Sequence, residues 1–242
     1  MIAPVVHLYR SLLAWDVADP GSIAVLQREL GVSADGVYGR RTRAAHLARL
    51  DEGWAAVCAA RDGWQYTGSA VPLTRERPRA PRISDTIRGV VLHWPVRPTT
   101  ARGLDRRWAR RVREGDGVVC SHCSLDEDHV VWSAGPHRVT AHAGAANARS
   151  IGVDVCVPVL LDDEDEARAR GVYAGQADGL LLLAPHVAAR VTELRRALAA
   201  VVPDLAWSDH AAVEPERKKD CRIWREELTR AGCPLETQEA WW

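Results

Sequence analysis

A short β-branched run, RGVVLH at Arg88 to His93, stops abruptly on an imidazole. A run of this length and composition reads as a buried strand, and one that closes on a polar residue delivers a ligand at its C-terminal end. Gly117 to Leu125, His129 to Trp132 and Ser150 to Cys156 read as further strands. Between them, Thr100 to Glu114 has helical spacing with arginines on its wet face, and Leu180 to Val202 reads as one long amphipathic helix. Strands alternate with helices, so the expected class is α/β with a mixed sheet flanked by helices.

The N-terminal part follows a different pattern. From Ser22 to Leu50, Ile23, Leu26, Leu30, Ala44, Ala45, Leu47 and Leu50 recur at helical spacing on either side of Gly31 to Gly39. Asp35-Gly36 and Tyr38-Gly39 are turn signals, and Thr42 is expected to cap the second helix through its side-chain oxygen. Leu26, Gln27, Gly31, Asp35, Gly36, Tyr38, Gly39, Thr42, Ala44 and Ala45 together resemble the three-helix peptidoglycan-binding domain. The resemblance implies wall binding through Asp35, Tyr38 and Thr42; the bland alternative is a helical hairpin that packs on the second domain. From Gly68 to Ser84, three prolines and four arginines with no apolar period read as an extended linker. The expected organisation is a helical domain over 1–67, a linker over 68–84 and a second domain over 85–242.

Composition sets bounds on function. At 242 residues and 47% apolar content the chain can bury a real core, which excludes disorder. Lys plus Arg and Asp plus Glu number 32 each, so net charge gives no general attraction to nucleic acid or anionic membrane. The longest apolar runs, such as Gly179 to Ala189, fall far below the roughly 20 residues of a membrane span. The first residues lack a cationic opening and a small-residue cleavage site, so the expectation is a chain made in the cytoplasm without a signal peptide. Cys58, Cys120, Cys123, Cys156, Cys221 and Cys233 have no scaffold-like spacing and are expected to be reduced and mostly buried.

Three segments carry the chemistry: VVLHW at 90–94, AHAG with SIGVDV at 141–155, and DHAAVEPERKKD at 209–220. A histidine after an apolar strand, such as His93, is by itself more often a structural group than a ligand, and EPERKKD alone reads as a solvated charge run. His210, Lys218 and Asp220 together offer an imidazole, an ammonium and a carboxylate around one loop.

In order, over roughly 85–232, these segments resemble the second large family of N-acetylmuramoyl-L-alanine amidases, which includes phage endolysins and peptidoglycan recognition proteins. The resemblance implies Zn2+ held by His93, by the His210 that opens a His-x-x-x-x-Pro-x-Arg-Lys-x-Asp segment, and by the Asp220 that ends it. Two imidazoles and a carboxylate leave a fourth tetrahedral position for water, as a catalytic zinc requires. Lys218 is then the oxyanion stabiliser and Asp154 the proton-transferring carboxylate. The resemblance also implies that Trp94, His122, His142 and Asn147 line the substrate groove.

Three departures stand out. Asp154 occupies a position where the family has Glu, which sets its carboxylate back by about 1.5 Å, one carbon–carbon bond. Ser121 stands where many members have Tyr, and Cys221 follows Asp220 in place of Pro, where a thiolate competes for zinc. The Cys120-x-x-Cys123 pair has no second pair at zinc-ribbon spacing. His129 and His137 are expected to be solvated in turns, and the acidic run at 162–166 to be a solvated loop.

The implied activity is hydrolysis of the amide between N-acetylmuramic acid and L-alanine in peptidoglycan by zinc-activated water. The alternative is a non-catalytic peptidoglycan recognition protein. As an endolysin the chain would be released through a holin, and as an antibacterial effector it would be loaded into a contractile injection machine; either would bring it to the periplasm or cell wall.

Overall fold

The computed structural model describes residues 2–69, 86–95, 97–115, 120–158, 161, 163–170, 174–176, 179–213 and 225–236. Three helices open the chain: α1 (Ile2–Leu13), α2 (Pro20–Glu29) and α3 (Arg40–Ala59). Asp19 caps α2 by accepting from the Ser22 N–H, and Pro20 takes the first position, where a missing N–H costs nothing. Thr42 does not cap α3. Gly39 precedes that helix without a side-chain cap, and Thr42 lies inside the first turn with its Oγ1 2.9 Å from the Gln27 amide nitrogen.

The remaining elements are β1 (Trp64–Tyr66), β2 (Gly89–His93), α4 (Ala101–Glu114), β3 (Cys123–Leu125), β4 (Val130–Trp132), β5 (Ser150–Val155), α5 (Glu164–Arg170), β6 (Ala174–Gln176), β7 (Gly179–Leu182), α6 (Pro185–Ala199), β8 (Ala206–Asp209), α7 (His210–Val213) and α8 (Arg225–Arg230). Six strands form one mixed sheet in the order β1-β4-β3-β5-β2-β8, with β3 and β4 antiparallel and every other neighbouring pair parallel. The expected α/β class with a mixed sheet holds. No helix among the described residues is long and apolar enough to cross a membrane.

Two expected elements differ. The span expected to be a single helix over 180–202 begins as β7, paired antiparallel with β6, and becomes helical only at Pro185. Proline forces the residue before it out of the helical region, and Ala184 sits at φ −60°, ψ 140°. The acidic run is not a loop throughout: Glu164 to Glu166 form the first turn of α5, where the Asp163 carboxylate accepts from the Glu166 N–H. Carboxylates at a helix N-terminus oppose the positive end of its dipole.

The sheet has two unlike faces, because side chains alternate along each strand and registered partners share a side. One face carries Val90, Leu92, Ile151, Val153, Val155, Cys123, Leu125, Val130, Trp132 and Trp207, all in one large core with Val187, Val191, Leu194 and Leu198 of α6. The other carries Gly89, Val91, His93, Ser150, Gly152, Asp154, Ser124, Ala206 and Ser208. Apart from Val91 its residues are small or polar, which leaves room for imidazoles.

The expected boundary at residue 67 assigns β1 to the helical domain, but its backbone pairs with β4 at the edge of the sheet. Val6, Tyr9, Leu12 and Leu13 of α1 and Leu50, Trp54, Val57 and Cys58 of α3 belong to the same core as the sheet. Trp54 meets Trp132 edge-on, with ring centroids 4.7 Å apart. The expected linker lies largely outside the described residues, which resume at Thr86.

Candidate active site

The polar face ends in a cluster of acid and imidazole groups. His93 is the last residue of β2, and its registered partner across the parallel ladder is Asp154 of β5. On the other side Leu92 pairs with Asp209, the last residue of β8, and the chain turns there into α7. Asp209 drives that turn by accepting from the Ala212 N–H at 2.7 Å, which starts α7 at His210. The parallel register thus brings residues 93, 154 and 210 to one end of the sheet.

All are buried, His93 at 5%, Asp154 at 5% and His210 at 3% exposure. His93 Nδ1 lies 2.9 Å from His210 Nδ1, and His93 Nε2 lies 3.0 Å from His142 Nδ1. Two nitrogens on a tetrahedral zinc at about 2.05 Å stand about 3.3 Å apart. The His93–His210 pair is within about 0.4 Å of that separation, so these imidazoles fit a shared cation. Among the described residues no group of three His, Cys, Asp or Glu converges on a metal position. Asp220, the third expected ligand, and Lys218, the expected oxyanion partner, lie outside the described residues, as does Cys221.

The groove residues expected from the sequence divide. His142 belongs to the cluster: its Nε2 lies 3.2 Å from Ser150 Oγ and 3.3 Å from the Ser150 carbonyl. His122 does not face a groove. It is fully buried, its Nδ1 accepts from the Gly152 N–H at 3.0 Å, and its Nε2 donates to the Arg138 carbonyl at 2.8 Å. With both nitrogens engaged by the protein, it is a structural group. Asn147 is likewise used internally, its Oδ1 accepting from the His142 and Ala143 N–H groups at 2.8 and 2.6 Å. It shapes the 3-10 turn Gly144–Ala148 and so holds His142 in place. Trp94 is 6% exposed directly after His93.

The residues expected to bind the wall are also tied inward. The buried Gln27 amide faces Asp35 Oδ1 at 2.7 Å and Thr42 Oγ1 at 2.9 Å, while its oxygen accepts from the Gly36 N–H. Tyr38 donates to His46 Nδ1 at 2.9 Å, because His46 Nε2 faces the Leu12 carbonyl and must carry the proton. Burial lowers the His46 pKa against the Leu12 bond, and burial pushes the Tyr38 hydroxyl up. This motif fixes a loop around Gly36, whose φ of 71° suits glycine. Val37, 61% exposed, is the apolar group it presents to solvent.

Sequence reasoning missed three residues. Ser150 and Gly152 support His142, and a glycine inside a strand pattern was the available signal, since it marks close approach of another group. His137 was expected to be solvated. It is buried, with Nδ1 2.9 Å from Tyr9 Oη and Nε2 3.0 Å from Asp51 Oδ1. The five described cysteines are free and buried, as expected; burial, then the Asp154 charge, pushes the Cys120 thiol up to about 12.

No family model matches the chain, and no curated protein matches it. Among solved structures it is similar to the N-acetylmuramoyl-L-alanine amidase LysC from Clostridium intestinale, at 18% identity over 60% of this chain and 84% of that one, with a TM-score of 0.41. It is similar also to the amidase AmiD from E. coli in complex with an anhydro-N-acetylmuramic acid peptide, at 16% identity over 67% of this chain and 63% of that one, with a TM-score of 0.42. A third, the structure of PlyL, is 12% identical over 60% of this chain and 84% of that one, with a TM-score of 0.40.

Proposed function

We propose that the chain is a zinc-dependent peptidoglycan hydrolase that cleaves the amide between N-acetylmuramic acid and L-alanine. The observation that carries this reading is the His93–His210 pair, with Nδ1 atoms 2.9 Å apart at the ends of adjoining elements and Asp154 in register with His93. The run from His210 to Asp220 supports it, because its spacing is that of the amidase family's ligand segment.

In this reading His93, His210 and Asp220 would hold the zinc. When bound, zinc supplies a Lewis acid that activates water for attack on an otherwise inert amide. Asp154 would serve as the proton carrier between the attacking water and the departing alanine nitrogen. Lys218 offsets the negative charge that develops on the carbonyl oxygen. The burial of Asp154 strengthens these interactions by keeping bulk water away from the reacting atoms. Trp94 borders the sugar-peptide junction, and the N-terminal helices contribute wall affinity through the loop that presents Val37. Action at the wall follows release by a holin or delivery by a contractile injection machine.

The test is digestion of purified peptidoglycan with and without a chelator, following new alanine amino groups and new reducing sugar ends separately. Amino groups that appear without reducing ends, vanish on chelation and return with zinc establish the amidase. Sedimentation with the wall and no release of either group would instead establish a recognition protein.

A further inference from the structure

Resting on the zinc reading above, we infer that His142 is a positioning residue: with Ser150 it fixes the proton arrangement of His93 so that the His93 Nδ1 lone pair faces His210. The Ser150 carbonyl oxygen only accepts, and it lies 3.3 Å from His142 Nε2. Ser150 Oγ already donates to the Ala146 carbonyl at 2.7 Å, which leaves its lone pair for the same nitrogen at 3.2 Å. Both neighbours therefore call for a proton on His142 Nε2.

A neutral imidazole carries one N–H, so His142 Nδ1 is an acceptor. His93 Nε2, at 3.0 Å, then donates to it, and His93 Nδ1 is left with its lone pair 2.9 Å from His210 Nδ1. The opposite order sets the His142 Nε2 lone pair against the Ser150 carbonyl and asks Ser150 to abandon Ala146. The chain of donors thus has one direction: His93 to His142, His142 to Ser150, Ser150 to Ala146.

The surroundings hold His142 in that role. Asn147 Oδ1 takes the His142 backbone N–H at 2.8 Å, and the ring occupies space left by the absent side chain of Gly152. His122 stands edge-on to His142, with centroids 5.4 Å apart, and is locked by its own bonds to Gly152 and Arg138. Partners of this kind fix ligand orientation, and their loss lowers metal affinity by roughly 10- to 100-fold.

The experiment has a spectroscopic arm and a binding arm. Imidazole nitrogen-15 shifts of the zinc-free protein, at mildly alkaline pH where imidazoles are neutral, should show both His93 and His142 protonated at Nε2. Zinc affinity is then compared for the unsubstituted chain, His142→Leu, His142→Asn and Ser150→Ala, with zinc-free thermal unfolding of each to confirm folding. His142→Leu should bind roughly 10- to 100-fold more weakly. His142→Asn, whose side-chain oxygen replaces the Nδ1 acceptor, should recover most of the loss, and Ser150→Ala should fall between. A proton on Nδ1 of either histidine, or undiminished affinity in folded His142→Leu, overturns the inference. Failure of the unsubstituted chain to bind zinc would remove the hydrolase reading instead, while the nitrogen shifts still decide the proton arrangement.

Discussion

The imidazole of His142 fills the place where a side chain at Gly152 would be: a Cβ at residue 152 would lie 2.5 Å from His142 Cγ and 2.7 Å from its Nδ1. Gly152→Ala must push that ring away from His93. Overpacking of this kind costs about 1–3 kcal/mol of stability. The larger consequence is expected at the site, where the displaced ring no longer holds His93 Nε2. On the proposed function, we expect release of alanine amino groups from peptidoglycan to fall by more than the stability loss accounts for, with zinc affinity reduced in parallel. Urea denaturation of the zinc-free protein and zinc titration together check this, and a variant with native zinc affinity would refute it.

Asp154 and His93 share a register position on neighbouring strands. Asp154→Asn keeps the volume and removes the carboxylate proposed as the base. General acid–base groups contribute typically 10²- to 10⁴-fold, so release of alanine amino groups should drop by about that factor. Zinc binding should be retained. Loss of zinc together with activity would make Asp154 a ligand and remove it as the proton carrier.

The imidazole site was legible in the sequence where a local pattern carried it. His93 closes a β-branched run, and that is where β2 ends. The ladder that sets Asp154 beside it is non-local, yet the SIGVDV motif marked the residue. What the sequence did not disclose depends on partners far along the chain. Tyr9 and His137 meet across 128 positions, so no window around His137 could distinguish it from a solvated histidine. The three residues of β1 are too few to show a strand period, and their partner β4 lies some way down the chain. Four consecutive residues, GLLL, suit strand and buried helix equally, and only Pro185 marked the change.

Asp51 on α3 is the point where the N-terminal helices grip the sheet's loops. It accepts from Tyr66 Oη at 2.5 Å, faces His137 Nε2 at 3.0 Å and is paired with the Arg138 guanidinium. Burial alone would raise its pKa, but the bonds from His137, Arg138 and Tyr66, with the His137 charge, hold it well below the usual carboxylate range. A depressed folded pKa stabilises fully above the unfolded value near 4 and is lost as pH falls from there toward the folded value. Asp51→Asn should cost roughly 1.5–3 kcal/mol at neutral pH, the range of hydrogen bonds to a charged group. It should also flatten the acid limb of stability below about pH 4. Denaturant midpoints across pH measure both, and an unchanged acid limb would show that other carboxylates set it.

The shared aromatic core predicts how the molecule unfolds. Tyr9 lies 5.0 Å from Trp54, Trp54 lies 4.7 Å from Trp132, and Trp132 lies 6.1 Å from Trp64, so α1, α3, β4 and β1 are linked by one chain of rings. Two modules joined by a free linker would melt separately; elements that bury one another's aromatics melt together. We expect coincident transitions by far-ultraviolet circular dichroism and by tryptophan fluorescence. Truncating Trp54 to Ala should lower the stability of the whole by about 3–5 kcal/mol, as for other buried large-to-small changes. Two resolved transitions, with only the first moved by Trp54→Ala, would mean that the helices fold apart from the sheet. A chain lacking them would then keep the His93–His210 site intact. With a single transition, the same deletion should abolish folding and activity together, because Trp132 and the sheet edge would lose their cover.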